Sequence, residues 1–170
     1  MENDFGTVHA KYKKIVTKLI EEKMTISTME SITGGLIASL ITDNEGSSAV
    51  IKGAFVTYCN EAKVKQGVDE RIIEEYGVYS HETANAMAKA CMDAYGADIG
   101  IGVTGTAGNI DPDNNDSVPG EVYFCVKIHS DIHEGYIKLP VLSDRSLYKL
   151  AIAGKIAETL LEKMSKKYRD

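Results

Sequence analysis

The chain has 170 residues, 44% hydrophobic and 26% charged, with a formal net charge of −6 and a pI near 5.3. A chain of about 150 residues buries roughly 70% of its extended surface on folding, so one domain with a sizeable core is expected over residues 1–170. The acidic balance gives no basic field for nucleic acid, no apolar run approaches the ~18 residues of a membrane span, and "MENDFGTVHAKYKK" lacks the basic-then-apolar order of a secretory signal, so a cytoplasmic location is expected.

Val8, Tyr12, Ile15, Val16, Leu19 and Ile20 recur at helical spacing, which predicts an amphipathic first helix over residues 8–22, packed on the domain by that stripe. "MTISTM" follows as a short strand, and "TGGLIASLITDN" as a helix ending near Asn44 and Gly46. Residues 49–58, "AVIKGAFVTY", predict a second strand in which Gly53 marks a close backbone approach. Asn60 caps a short helix holding Glu61, Ala62 and Lys63, and "VDERIIEEYG" supplies another, closed by Gly77. Ser80 caps the cleanest helix, with Ala84, Met87, Ala88, Cys91, Met92 and Tyr95 on one stripe and Gly96 as its stop.

"ADIGIGV" (97–103) has the continuous apolar character of a central strand covered on both faces. The long loop "TGTAGNIDPDNNDSVPG" comes next, of a length that in compact domains tends to serve function. "EVYFCVKI" and "YIKLPV" are two strands joined by the hairpin segment "HSDIHEG". Ser143 caps the last helix, whose buried side is Leu147, Leu150, Ala151, Gly154, Ala157, Leu160, Leu161 and Met164. Alternating helices and strands predict an α/β fold: a three-layer α/β/α sandwich on a mixed sheet of about five strands, one antiparallel hairpin included.

Cys59, Cys91 and Cys125 are an odd number, widely spaced among apolar or small residues, which predicts buried reduced thiols rather than a disulfide frame or a zinc site. Two basic clusters, Lys11, Lys13 and Lys14, and Lys163, Lys166, Lys167 and Arg169, fall on amphipathic helices and read as solvated faces. His129, Asp131, His133 and Glu134 have the composition of a polar hairpin tip, and "DPDNND" lacks the Gly and closing Glu of a calcium loop, so no metal site is expected.

The chemistry concentrates at "TMESITGG" (28–35), where strand passes into helix. The crevice at the carboxyl ends of sheet strands is where α/β folds bind ligands, and a helix start offers unpaired amides there. Two roles fit Ser31: a cap for those amides or a nucleophile. No Gly-x-Ser-x-Gly elbow is present, and the four histidines supply no evident triad partner. Lys63, in "TYCNEAK", is the remaining base, since a desolvated lysine loses its proton near neutral pH. Tyr58 shares that segment and can join the relay or bind substrate. Thr104 and Gly105, in "TGTAG", stand at another strand end, and Arg145 at a helix start suits an anion.

Together, "TMESITGGLIASLIT", "EGSSAVIKGAFVTYCNEAKVKQGV", "YGVYSHETANAMA", "DIGIGVTGTAG", "PGEVYF" and "LSDR" resemble the C-terminal domain of the competence-damage-inducible CinA proteins over about residues 8–164. The resemblance implies a three-layer α/β/α domain that deamidates nicotinamide mononucleotide to nicotinate mononucleotide and ammonia, without metal or organic cofactor, and that associates as a homo-oligomer. Ser31 matches the serine of the family's Glu-Ser-x-Thr-Gly-Gly block; Tyr58 and Lys63 match its Tyr-x-Asn-x-x-Lys block. The implied catalytic residues are Ser31, Lys63 and Tyr58, with Glu30, Thr33, Gly34, Gly35, Thr104, Gly105 and Arg145 binding the nucleotide. The chain departs from the family pattern at Ile32, where a cysteine is usual, at "AGN", where Ala-Gly-Pro is common, and at "SVPGE", where a basic residue is replaced. A noncatalytic nucleotide-binding module is the alternative this divergence leaves open.

Overall fold

The computed structural model describes residues 4–166; Lys167, Arg169 and the Lys166 side chain, part of the C-terminal basic cluster, lie outside the described residues. Six α-helices and five strands alternate as α1 (Phe5–Glu22), β1 (Ile26–Glu30), α2 (Leu36–Thr42), β2 (Ile51–Val56), α3 (Asn60–Lys65), α4 (Glu70–Tyr76), α5 (His81–Tyr95), β3 (Ile99–Gly105), β4 (Glu121–Ile128), β5 (Asp131–Lys138) and α6 (Arg145–Lys166). The sheet order is β2-β1-β3-β4-β5, parallel across the first three strands and antiparallel across the last three. This is the mixed five-strand α/β sandwich expected from the alternation of elements.

Strand alternation assigns the two faces. Ile26, Ile99, Ile101 and Val103 point into the larger core with α1, α2 and α6, where Tyr12, Leu19, Ile152 and Leu160 are fully buried. Met29 and Cys125 point to the other face, against Met87, Cys91, Ala84 and Ala88 of α5. After β1 the chain steps outward to β2 and then crosses back to the other side of β1 for β3. The carboxyl ends of β1 and β3 therefore flank the point where the winding direction reverses, the crevice where such sheets bind ligands.

Helix α5 lies against β3 because Gly100 and Gly102 put no side chains in its way. A methyl at Gly102 would stand 2.1 Å from the Ala84 carbonyl oxygen and 2.6 Å from the Ala88 amide nitrogen. Both are backbone atoms that no rotamer change can move. Gly102→Ala is expected to cost about 3 kcal/mol, read as a lower urea midpoint; an unchanged midpoint would mean that α5 can move off the sheet freely.

Several local expectations need correction. Helix α2 starts at Leu36 rather than at the "TGG" stretch, because residues 31–35 form a turn with Gly34 at φ 61° and Gly35 at φ 94°. Asn60 is the first residue of α3 and Cys59 its cap position, without a side-chain cap. Strand β3 extends through Thr104 and Gly105, which pair with Tyr123 and Val122, so the long loop begins at Thr106. The segment "HSDIHEG" is not a hairpin loop: the turn is His129–Ser130, His129 takes φ 50°, and β5 already begins at Asp131. Its polar side chains misled because only one face of this edge strand meets the protein.

Asp144, not Ser143, receives the Ser146 amide at the start of α6, at 2.7 Å. Tyr148, Ile152, Ala153 and Ile156 bury that helix, whereas Leu147 is exposed and Leu150, Ala151 and Leu161 are half-buried. Ile20 is exposed on α1. Cys91 and Cys125 are buried free thiols, pushed up by burial to about 11 and about 12, but Cys59 is exposed. No helix among the described residues is long and apolar enough to cross a membrane.

Candidate active site

Glu30 ends β1 on the face toward α2 and is fully buried. Its carboxylate accepts five hydrogen bonds: from the hydroxyls of Thr28 (3.1 Å) and Thr33 (2.7 Å) and the amides of Gly35 (3.0 Å), Ile37 (3.1 Å) and Ala38 (2.9 Å). The protein's own carboxylate thus fills the amide cradle at the start of α2, which sequence reasoning offered to a ligand or to a Ser31 cap. Glu30 and Thr33 build the turn and do not face the cleft.

Relieved of capping, Ser31 is held by its amide, which donates to the Val103 carbonyl of β3 at 3.1 Å. Its side chain meets Lys63, whose Nζ lies 3.3 Å from Ser31 Oγ and 3.0 Å from the Thr57 carbonyl oxygen. That carbonyl is fixed in turn, since the Thr57 amide donates to the Glu30 carbonyl at 2.8 Å. Lys63 is only 2% exposed, and burial pushes its amine down to about 8 while the neighbouring Cys59, Asp111 and Glu61 oppose the fall. Nζ donates to Ser31 Oγ, and an amine that titrates near 8 at this distance can, once neutral, take the hydroxyl proton instead.

The pair lies at the wall of a cleft of about 570 Å³ lined by Ser31, Ile32, Tyr58, Asn60, Tyr79, Gly105, Thr106, Ala107, Asp111, Asn114 and Arg145 among others. Tyr58, exposed past the end of β2, accepts a 2.8 Å hydrogen bond from the Arg145 guanidinium of α6, and together they form a rim. Glu61, Asp111 and Asp113 place carboxylates on the other elements around the cleft.

Of the residues singled out from sequence, Ser31, Lys63, Tyr58, Gly105 and Arg145 converge here. The others do not. Thr104 is buried with its hydroxyl donating to the Val78 carbonyl at 3.0 Å. Gly34 and Gly35 line a separate shallow cleft with Phe5, Ser39, Ser146 and Lys149. Asn60, read from sequence only as a helix cap, also lines the cleft, and Tyr79, Asp111 and Asn114 were missed; for the last two the available signal was the long Asx-rich loop after the central strand.

The fold and the site define the class: a three-layer α/β/α domain on a mixed sheet, with a buried serine and lysine in contact at the point where the winding direction reverses. The family model described as the CinA C-terminal domain matches residues 9–164, and the chain belongs to that family. It is 41% identical over 138 residues to a CinA-like protein of Leptospira borgpetersenii serovar Hardjo-bovis, covering 79% of this chain and 33% of that protein. It is also 39% identical over 126 residues to a CinA-like protein of Chlorobaculum tepidum, covering 74% and 29%. The chain thus spans about a third of the length of these curated relatives. Among solved structures, the competence/damage inducible protein CihA of Agrobacterium tumefaciens superimposes with a TM-score of 0.82 at 28% identity, covering 91% of this chain and 94% of that one. A CinA superfamily protein of Klebsiella pneumoniae shares the fold at TM-score 0.86 and 21% identity, covering 94% and 98%.

Proposed function

We propose that this chain is an amidohydrolase that converts nicotinamide mononucleotide to nicotinate mononucleotide and ammonia by a Ser-Lys mechanism. The observation that carries the reading is the 3.3 Å approach of a buried lysine amine to the Ser31 hydroxyl at the edge of a nucleotide-sized cleft. Neutral Lys63 takes the Ser31 proton as Oγ attacks the carboxamide carbon. The tetrahedral oxyanion is stabilised by the amide of Ile32, next to the nucleophile in the turn. Lys63 then gives its proton to the amide nitrogen, the C–N bond breaks and ammonia leaves. Water, deprotonated by the same amine, attacks the acyl-Ser31 ester; Lys63 returns that proton to Ser31 Oγ as the C–O bond breaks, and the carboxylate is released.

The charge pattern suits a ligand that is itself split in charge. Asp111 and Asp113 face the cleft from the long loop and Arg145 from α6, so a cationic pyridinium ring is drawn to the first wall and a phosphate to the second. Ammonia release from nicotinamide mononucleotide by the purified protein tests this. Because the base must be uncharged, kcat/KM is expected to rise with pH to a midpoint near 8, matching Lys63. Saturable binding by calorimetry with no ammonia at any pH would leave a noncatalytic module instead.

A further inference from the structure

The loop between β3 and β4 reaches the first residue of α3, the helix that carries Lys63, through a chain of hydrogen-bonded side chains. Tyr79 donates its hydroxyl to Asp111 Oδ2 at 2.5 Å, and Asn114 Nδ2 donates to the same oxygen at 2.6 Å. Asn114 Oδ1 then accepts from Asn60 Nδ2 at 2.9 Å. Asn60 opens α3, and Lys63 sits one turn further on. Only acceptors are available on an ionised carboxylate, so Asp111 fixes which end of the Asn114 amide faces it. That choice in turn fixes the orientation of Asn60. Desolvation pushes the Asp111 carboxyl up, but the hydrogen bonds from Tyr79 and Asn114 outweigh it and hold the group below its usual value, ionised. The Asp111 amide is anchored as well, donating to Ser117 Oγ at 2.9 Å. Helix α3 needs such a tether, since its cap position, Cys59, supplies no side-chain cap.

We propose that Asp111 and Asn114 are positioning residues for the general base, clamping α3 from the acidic loop so that Lys63 stays dehydrated against Ser31. The proposal rests on the Ser-Lys reading of the cleft. Asp111 acts in two ways. It orders the tether, and its charge, with that of Glu61, favours the protonated lysine. The two contributions separate in different variants. In Asn114→Ala the tether is cut while the Asp111 charge remains, so water reaches α3 and the amine drifts back toward the ordinary lysine value of about 10.4. In Asp111→Asn the amide chain can reverse direction and keep the tether, but the charge is lost. The Lys63 titration then moves the opposite way, below about 8.

The experiment follows Lys63 by NMR of ε-13C-lysine-labelled protein, which needs no substrate, and runs kcat and KM for nicotinamide mononucleotide beside it. Expected are a raised midpoint with about a tenfold fall in kcat and little change in KM for Asn114→Ala, and a lowered midpoint for Asp111→Asn. Wild-type midpoint and kcat in Asn114→Ala, or shifts of the same sign in both variants, would overturn the clamp. Failure of the Ser-Lys reading looks different: turnover would then survive Lys63→Met whatever the loop variants do.

Discussion

Ser31→Ala is expected to abolish ammonia release, with a loss on the order of 10³-fold or more in kcat, while the protein stays folded. The hydroxyl makes one side-chain hydrogen bond, to Lys63, and caps no helix, so its removal disturbs little else. Lys63→Met should be equally inactive and, unusually for a catalytic knockout, slightly more stable. An unfolded lysine titrates near 10.4 and the folded one near 8, so the native state binds fewer protons between those values. The folded-state pKa is depressed for a base, and the cost is therefore full below about pH 8 and fades as pH climbs toward about 10.4. A shift of this size costs roughly 3 kcal/mol at neutral pH. Methionine fills a similar volume without that cost, but strands the Thr57 carbonyl, which returns about 1–2 kcal/mol. The net expectation is about 1 kcal/mol of added stability at pH 7, read by urea denaturation, with the advantage shrinking as pH rises. A methionine variant that is active, or one less stable at pH 7 than at pH 10 relative to wild type, would remove Lys63 from the mechanism.

The fold was legible where the signal is local. The stripe of α5, its Ser80 cap and its Gly96 stop are all within one helix, and the structure has the Ser80 hydroxyl receiving the Thr83 amide at 3.1 Å and Gly96 in the left-handed region. Strand β5 was half missed because, at the edge of the sheet, it alternates exposed and half-buried residues. Its polar positions look like a loop to any reading that expects apolar strands. The site was legible in its chemistry but not in its wiring. Lys63 is reached as the base for Ser31 by elimination of the histidines and then by the resemblance of the two blocks, since a separation of 32 residues carries no geometric information by itself. Glu30 and Thr33 belong to the same block as Ser31, yet the strand's alternation turns Glu30 toward α2 and away from the cleft, a distinction that adjacency in sequence does not make. The Asn60–Asn114–Asp111 connection crosses from one loop to another helix and depends on amide orientation, which no periodicity encodes.

Glu30→Gln should give the largest loss of stability of any single polar substitution at the site, about 3–5 kcal/mol. The side chain keeps its size, but one acceptor becomes an NH2 donor in a buried cage of three amides and two hydroxyls that all point inward. Whichever way the new amide turns, donors face donors, and the first turn of α2 loses its cap at Gly35, Ile37 or Ala38. Turnover falls for a structural reason, because the 31–35 turn that aims Ser31 is tied down by that same carboxylate. The urea midpoint and the KM for nicotinamide mononucleotide separate this from substrate contact: a cap predicts a lower midpoint and a fall in kcat, whereas a binding residue predicts wild-type stability and a raised KM. A glutamine variant as stable as wild type would show that the buried carboxylate is held for its charge toward a ligand, and the α2 cradle would again be open to one.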